Sequence, residues 1–242
     1  MSERPTSQAE PAAEAEAVRE RYARRAAHDS RYALTNPAAL MSVQERQRAM
    51  LALFADIGLA DLAAPRLLEV GSGSGGNLLE LLWWGFRPEH LAGIELLPER
   101  HVVARERLPS ALRLVCGDAT RPELEPGPHD IVFASTVFSS LLDDAFQQRL
   151  AEAMWARVKP GGGVLWYDFT VDNPRNRDVR GVPLRRVRAL FPEARVTHRR
   201  ITLAPPIARA VSRVHPGLYT LCNAIPALRT HLLCWLGRPA PP

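Results

Sequence analysis

The densest chemical signal in the chain is Leu67-Leu68-Glu69-Val70-Gly71-Ser72-Gly73-Ser74-Gly75-Gly76-Asn77. An apolar run enters a glycine-rich turn, and glycines there let the backbone turn tightly and approach a ligand. Gly71, Gly73 and Gly76 also satisfy the G-x-G-x-x-G spacing of dinucleotide sites. Glu69 argues against that ligand class. A carboxylate two residues before the first glycine would repel a pyrophosphate and attract an ammonium or sulfonium cation. Glu95 lies twenty residues past Gly75 in Gly93-Ile94-Glu95-Leu96-Leu97, a placement suited to ribose hydroxyls. Asp118 closes a third apolar run in Cys116-Gly117-Asp118-Ala119-Thr120. Its carboxylate suits an adenine amino group, and the Ala119 backbone N–H suits the ring. Acids at three successive run ends point to an adenosine ligand with a cationic tail.

These groups need strands to carry them. Apolar runs at 66–70, 91–97, 112–116, 130–134 and 163–169 read as strands, separated by helical patterns at 77–84, 98–108 and 144–158. That alternation predicts βαβ units and a parallel sheet with right-handed crossovers. Downstream, 184–191 reads as a helix and 195–203 as a strand. Upstream, residues 1–16 read as a disordered tail and 17–60 as a helical cap. Within the cap, a helix near 16–28 precedes one opened by a Ser42/Glu45 capping box and stopped at Gly58. Residues 61–170 form the ligand-binding core. Residues 171–242 close the sheet and hold the acceptor within the same domain.

The chain has 242 residues, of which 46% are hydrophobic and 24% charged, enough for a sizeable core. No apolar run reaches the roughly 18 residues of a membrane span, and the N-terminus lacks a secretory apolar segment. Three cysteines without a CxxC pair fit a reducing, cytoplasmic setting. Scattered histidines give no zinc spacing, so no metal is expected. The net charge is +5, and 30 of the 31 basic residues are arginine, which suits anionic partners. Nucleic acid is not among them. The fourth strand ends Ala134-Ser135-Thr136-Val137, without the Asn/Asp-Pro-Pro-aromatic motif of base-amino methylation, and no basic-aromatic interleave appears. A nicotinamide oxidoreductase is disfavoured by Glu69 and by Lys159, which has Trp155 four residues before it where a Tyr-x-x-x-Lys pair would place tyrosine.

LLEVGSGSGGNL, GIELL, CGDAT, DIVFAS and VKPGGGVLWYDF, in that order, resemble class I S-adenosylmethionine-dependent methyltransferases over roughly residues 40–170. The resemblance implies a Rossmann-like seven-stranded sheet of order 3-2-1-4-5-7-6. The last strand is antiparallel, helices cover both faces, and the sixth and seventh strands fall near 195–203 and 231–236. It implies S-adenosylmethionine as cofactor. Glu69, Gly71, Ser72, Gly73, Gly75 and Asn77 would lie at its methionine end, and Glu95 and Leu96 at the ribose. Asp118 and Ala119 would lie at the adenine, and Ser135 near the sulfonium.

STVFSSLLDD, the Asn173–Asn176 stretch with Val179-Arg180-Gly181, and RTHLLC resemble bacterial methyltransferases of polysaccharide assembly. That implies O-methylation of a sugar hydroxyl on a glycan or glycan precursor. A small-molecule methyltransferase of secondary metabolism, or a non-catalytic cofactor-binding partner of a glycan-assembly complex, are the alternatives. Asp168 and His215 are the candidate bases; Asp143 and Asp144 read as helix caps. Arg175, Arg180, Arg209 and Arg213 are candidates for an anionic acceptor. The segment 204–236 reads as an acceptor lid rather than a membrane anchor, although peripheral membrane contact stays open, as does oligomeric state. Tyr22 and Tyr32, amid Arg21, Arg24, Arg25 and Arg31, would cover the cofactor.

Overall fold

A computed structural model describes residues 10–24, 33–173 and 176–240. Tyr32, Arg25, Arg31, Arg175 and most of the expected tail lie outside that range.

Seven strands form one sheet: β1 (Leu67–Val70), β2 (Leu91–Glu95), β3 (Arg113–Cys116), β4 (His129–Ser135), β5 (Val158–Phe169), β6 (Arg195–Leu203) and β7 (Arg229–Gly237), in the order β3-β2-β1-β4-β5-β7-β6. The pairs β1–β2, β1–β4, β2–β3 and β4–β5 are parallel, and β7 runs antiparallel to β5 and β6. The expected order and reversed hairpin are both present. The strand order reverses between β1 and β4, where the connections leave for opposite sides of the sheet and open a crevice at the carboxyl ends.

Side chains alternate along each strand, so the central ones serve two apolar layers. Leu68, Val70, Val132, Ala134, Val164 and Trp166 face one layer. Leu67, Ile131, Phe133, Leu165 and Tyr167 face the other. Helices α3 (Gly76–Trp84) and α4 (Pro98–Arg107) cover the second layer, together with Met50, Leu53 and Phe54 of α2 (Pro37–Asp56). Helices α5 (Asp144–Arg157) and α6 (Leu184–Leu190) cover the first.

Three local readings need correction. Helix α1 (Glu10–Ala23) starts within the expected tail and stops short of residue 28. Alanine and glutamate favour a helix there, and Glu14 docks it by accepting from the Leu142 N–H at 2.9 Å. Helix α2 opens at Pro37, not at Ser42. Asn36 accepts the Ala38 N–H at 3.1 Å, and proline's fixed φ suits the first turn. Glu45 is consequently interior and accepts from Thr202 N–H and the Tyr219 hydroxyl at 2.8 and 2.7 Å. In the C-terminal segment, prolines begin two short helices, α7 (Pro205–Val214) and α8 (Pro216–Asn223). Ala208 and Tyr219 pack these helices against Ala38 and Leu203, at the start of α2 and on β6.

Candidate functional site

A cavity of about 310 Å³ opens at the carboxyl ends of β1, β2 and β4 and beside Gly117–Ala119 after β3. That volume falls within the roughly 300–1,000 Å³ of small-molecule sites. Gly71, Ser72, Gly73, Asn77, Glu95, Leu96, Asp118, Ala119 and Ser135 line it, as the sequence predicts. Gly71 has φ +69°, and a Cβ there would stand 2.7 Å from Val137 Cγ2. Glycine is required at that position by both backbone and space.

Glu95 is 5% exposed, and its two oxygens accept the Gly73 and Leu97 N–H groups at 2.6 and 2.8 Å. Each oxygen keeps a second lone pair for a ligand hydroxyl. Asp118 accepts the Thr120 N–H at 2.9 Å. The neighbouring Ala119 carbonyl is held at 2.9 Å by Arg157, a buried guanidinium that also serves the carbonyls of Arg121, Glu125 and Ala153. Nothing in the local sequence marks Arg157 for that role.

Glu69 and Gly75 are placed differently from the expectation. Glu69 is fully buried behind the wall, and its Oε1 accepts from Asn77 Nδ2 at 2.6 Å. Its Oε2 has no partner among the described residues. Burial pushes the carboxyl up to about 8 from 4.5, against the lowering effects of Asn77 and of the Arg46 charge. A cation reaching this corner would relieve the orphaned oxygen. Gly75, at φ +83°, caps α3; a Cβ there would meet Leu108 Cδ1 at 2.8 Å, so it serves packing rather than the wall.

The wall also contains Arg46 and Val18, which the sequence did not single out, and Tyr22, the expected cover of the cofactor. Arg46 reaches it from α2, pairs with Glu80 at 2.7 Å and lies over the Tyr167 ring, 5.6 Å from its centroid. Its guanidinium near Glu69 makes this end fit for an α-amino acid, ammonium and carboxylate alike. Val18 and Tyr22 reach the wall from α1. Arg100 lies over the Tyr22 ring at 4.7 Å, and the Tyr22 hydroxyl is 3.3 Å from Ser140 Oγ. Arg21, paired with Glu14 at 2.6 Å, donates to the Ser140 carbonyl at 3.1 Å. Helix α1 is the cover of this cavity; the segment 204–236 contributes nothing to its wall.

The expected bases stand elsewhere. Asp168 is 1% exposed, lies outside the wall, and accepts the Ser139 and Phe169 N–H groups at 3.0 and 2.9 Å. Burial raises its carboxyl to about 7. On β5 Tyr167 faces the α2 layer, so Asp168 faces the opposite way, toward the 138–140 turn that it braces. His215 is exposed and caps α8, Nδ1 accepting from Gly217 N–H at 3.0 Å. Arg180 pairs with Asp144 outside the wall, while Arg209 and Arg213 flank Asn36 and Pro37 in a separate small cavity. Asp143 caps α5 as expected. Among the described residues, no group of three or more His, Cys, Asp or Glu could hold a metal, and no helix is long and apolar enough to cross a membrane.

Residues 67–162 match the family described as Methyltransferase domain. No curated protein matches the chain significantly. A SAM-dependent methyltransferase from Archaeoglobus fulgidus shares the fold at TM-score 0.57 and 14% identity, over 82% of this chain and 98% of that one. Phosphoethanolamine N-methyltransferase 2 of Haemonchus contortus, in complex with S-adenosyl-L-methionine, aligns at 0.56 and 17%, over 78% of this chain and 52% of its own. The [4+2]-cyclase SpnF aligns at 0.56 and 16%, over 82% of both chains. The fold is common to all three.

Proposed function

We propose that the chain is a class I S-adenosylmethionine-dependent methyltransferase, a reading supported by the family match over residues 67–162 and the shared fold, and that its acceptor is a sugar hydroxyl on a glycan or glycan precursor. The supporting observation is the wall beyond Ser135. There Ser135, Thr136, Ser140 and Tyr22 present neutral hydroxyls, and the buried carboxylates Asp168 and Glu69 stay behind it. Such a wall can orient a neutral alcohol through hydrogen bonds, whereas an ammonium acceptor calls for charge or aromatic faces.

The cradle suits the cofactor. Glu95 would hold the ribose, Asp118 and Ala119 the adenine, and Asn77, Glu69 and Arg46 the amino-acid end. When bound, S-adenosylmethionine supplies a methyl group made electrophilic by its sulfonium. The chain's own task is to align an acceptor oxygen beside Ser135 and to exclude water. Thr136 supports that alignment. Its φ of +54° is held by its N–H on the Tyr167 carbonyl at 2.7 Å and its hydroxyl on the Ser135 carbonyl at 2.7 Å. Helix α1 closes the other side through Tyr22 and Val18. Positioning rather than a strong base is the catalytic contribution in this reading. The acceptor oxygen takes the methyl as the sulfonium C–S bond breaks, and the strongly acidic protonated ether then gives its proton to bulk solvent, relayed by a wall hydroxyl.

The test is transfer of labelled methyl from S-adenosylmethionine to a bacterial glycan extract, beside a panel of small alcohols and amines. An alkali-stable methyl ether on a sugar is the expected product. Methylation confined to amines, or to small alcohols, would replace the glycan reading; binding without turnover on either set would favour a cofactor-binding partner protein.

A further inference from the structure

We propose that the small cavity between α2 and α7 is a binding site for a phosphate group, separate from the cofactor cavity. It measures about 70 Å³ and is lined by Asn36, Pro37, Arg209, Ser212 and Arg213. That is several times the about 10–15 Å³ that admits one water and far below the few hundred of a nucleoside site. A compact oxyanion fits it; a sugar ring or nucleobase does not.

Four features converge on that ligand. Arg209 and Arg213 stand one turn apart on α7, and Ser212 shares their face, since positions three and four apart are neighbours on a helix. Two guanidinium groups at that spacing repel, yet neither pairs with an acid among the described residues. A lone Arg213 would be accounted for by the carboxyl end of α7; Arg209, in the middle of the helix, is not. Ser212 is 7% exposed, and its Oγ has no hydrogen-bond partner among the described residues. A buried hydroxyl without a partner is costly and awaits an acceptor or donor. The fourth wall is the amino end of α2, a helix of 20 residues whose dipole favours an anion at Asn36–Pro37. Two planar forks and a hydroxyl are the donor set of a tetrahedral phosphate, and the helix dipole adds to their attraction without a free N–H from Pro37.

The opposite face of α7 carries the packing. Ala208 is buried with Leu203 and Tyr219, and Ile207 and Val211 pack against them. The arginine face is therefore not required for folding. Arg46, at the cofactor cavity, lies nine residues along α2 from Pro37, or roughly 13 Å at about 1.5 Å per residue. The two sites are distinct, and a ligand joining them would carry its phosphate about that far from the reacting oxygen.

The phosphate could arrive on a soluble ligand or on a lipid headgroup, and the exposed Val214 on α7, Leu221 on α8 and Ile225 just after it make the second source testable. Full-length protein is titrated with inorganic phosphate and pyrophosphate at constant ionic strength, read by thermal shift and by amide NMR. Co-sedimentation with phosphatidylcholine vesicles, with and without phosphatidic acid, forms the second arm. Saturable stabilisation by phosphate, not matched by chloride, is expected. Arg209→Gln with Arg213→Gln should weaken it by at least about tenfold, as loss of charge-assisted bonds predicts, and Ser212→Ala should weaken it less. S-adenosylhomocysteine binding, measured on the same variants, should stay unchanged and reports an intact fold. Binding of phosphate alone assigns a soluble source. Vesicle binding that needs phosphatidic acid and both arginines assigns the headgroup. Phosphate effects that persist in the double variant, or absence of both phosphate and vesicle binding, would overturn the site.

Discussion

Glu69 is a buried carboxyl group that, in the proposed reading, receives the ammonium of the cofactor. It is fully buried, hydrogen-bonded through Oε1 only, and raised to about 8 from 4.5 by that burial. A carboxyl with a raised folded-state value binds more protons folded than unfolded between those two limits, so its contribution to stability declines as pH rises from 4.5 to about 8. The decline is about 1.36 kcal/mol per pH unit, which makes roughly 3 kcal/mol at pH 7 as an upper figure. Glu69→Gln removes this titration, keeps an oxygen for Asn77 and places an amide at the orphaned corner. Urea unfolding of wild type and variant from pH 5 to pH 9 should show nearly equal stability at pH 5. The variant's advantage should grow to roughly 2–3 kcal/mol by pH 7 and level off above pH 8. S-adenosylhomocysteine, whose ammonium remains, should bind the variant more weakly and release a proton only on binding wild type. Calorimetry in buffers of different ionisation heat reads that proton. A stability difference that does not change with pH, or a variant less stable at pH 7, would refute the reasoning.

Asp168→Asn tests bracing against base catalysis. A brace whose amide keeps an oxygen for one of the two N–H groups held by Asp168 should cost less than about tenfold in turnover, where loss of a general base costs about a hundredfold to ten-thousandfold; a loss in that larger range, with the pH–rate profile flattened near pH 7, would restore the base assignment. Glu14→Ala unpins α1 by freeing Arg21 and the Leu142 N–H. It should raise the cofactor dissociation rate severalfold in stopped-flow displacement while leaving urea stability within about 1–2 kcal/mol. An unchanged rate would mean that α1 is not a cover.

What could be read from the sequence was whatever a short stretch decides for itself. Glu95 and Asp118 follow from strand ends and turns a few residues long, and the strand order follows from alternating apolar runs. Arg46 and Arg157 act from elements far from their targets in the chain, and only tertiary packing sets their reach. Ser42 and Glu45 show the local rule failing for a physical reason. Their spacing satisfies a capping box, but Asn36 and Pro37 already provide a better start six residues upstream, and Glu45 is captured by Thr202 and Tyr219. Arginines 209 and 213 were legible as an anion-binding pair. That they line a small cavity with Asn36, and not the larger cavity, depends on how α7 lies across α2.

The strand-end acids make the same point by contrast. Glu69, Glu95 and Asp168 all sit at carboxyl ends of parallel strands, each at or below 5% exposure, yet they divide by what their oxygens already hold. Both oxygens of Asp168 are engaged by backbone N–H groups, and the pleat turns it away from the cavity, so it is part of the scaffold. Both oxygens of Glu95 are engaged as well, but it stands in the wall, and the same two N–H groups aim its remaining lone pairs at a diol. In Glu69 one oxygen is held by Asn77 and the other has no partner among the described residues. Of the three, that arrangement is the one in which a carboxyl would respond to an arriving cation by losing its proton, so in the proposed reading Glu69 meets the cofactor's charge rather than its adenosine.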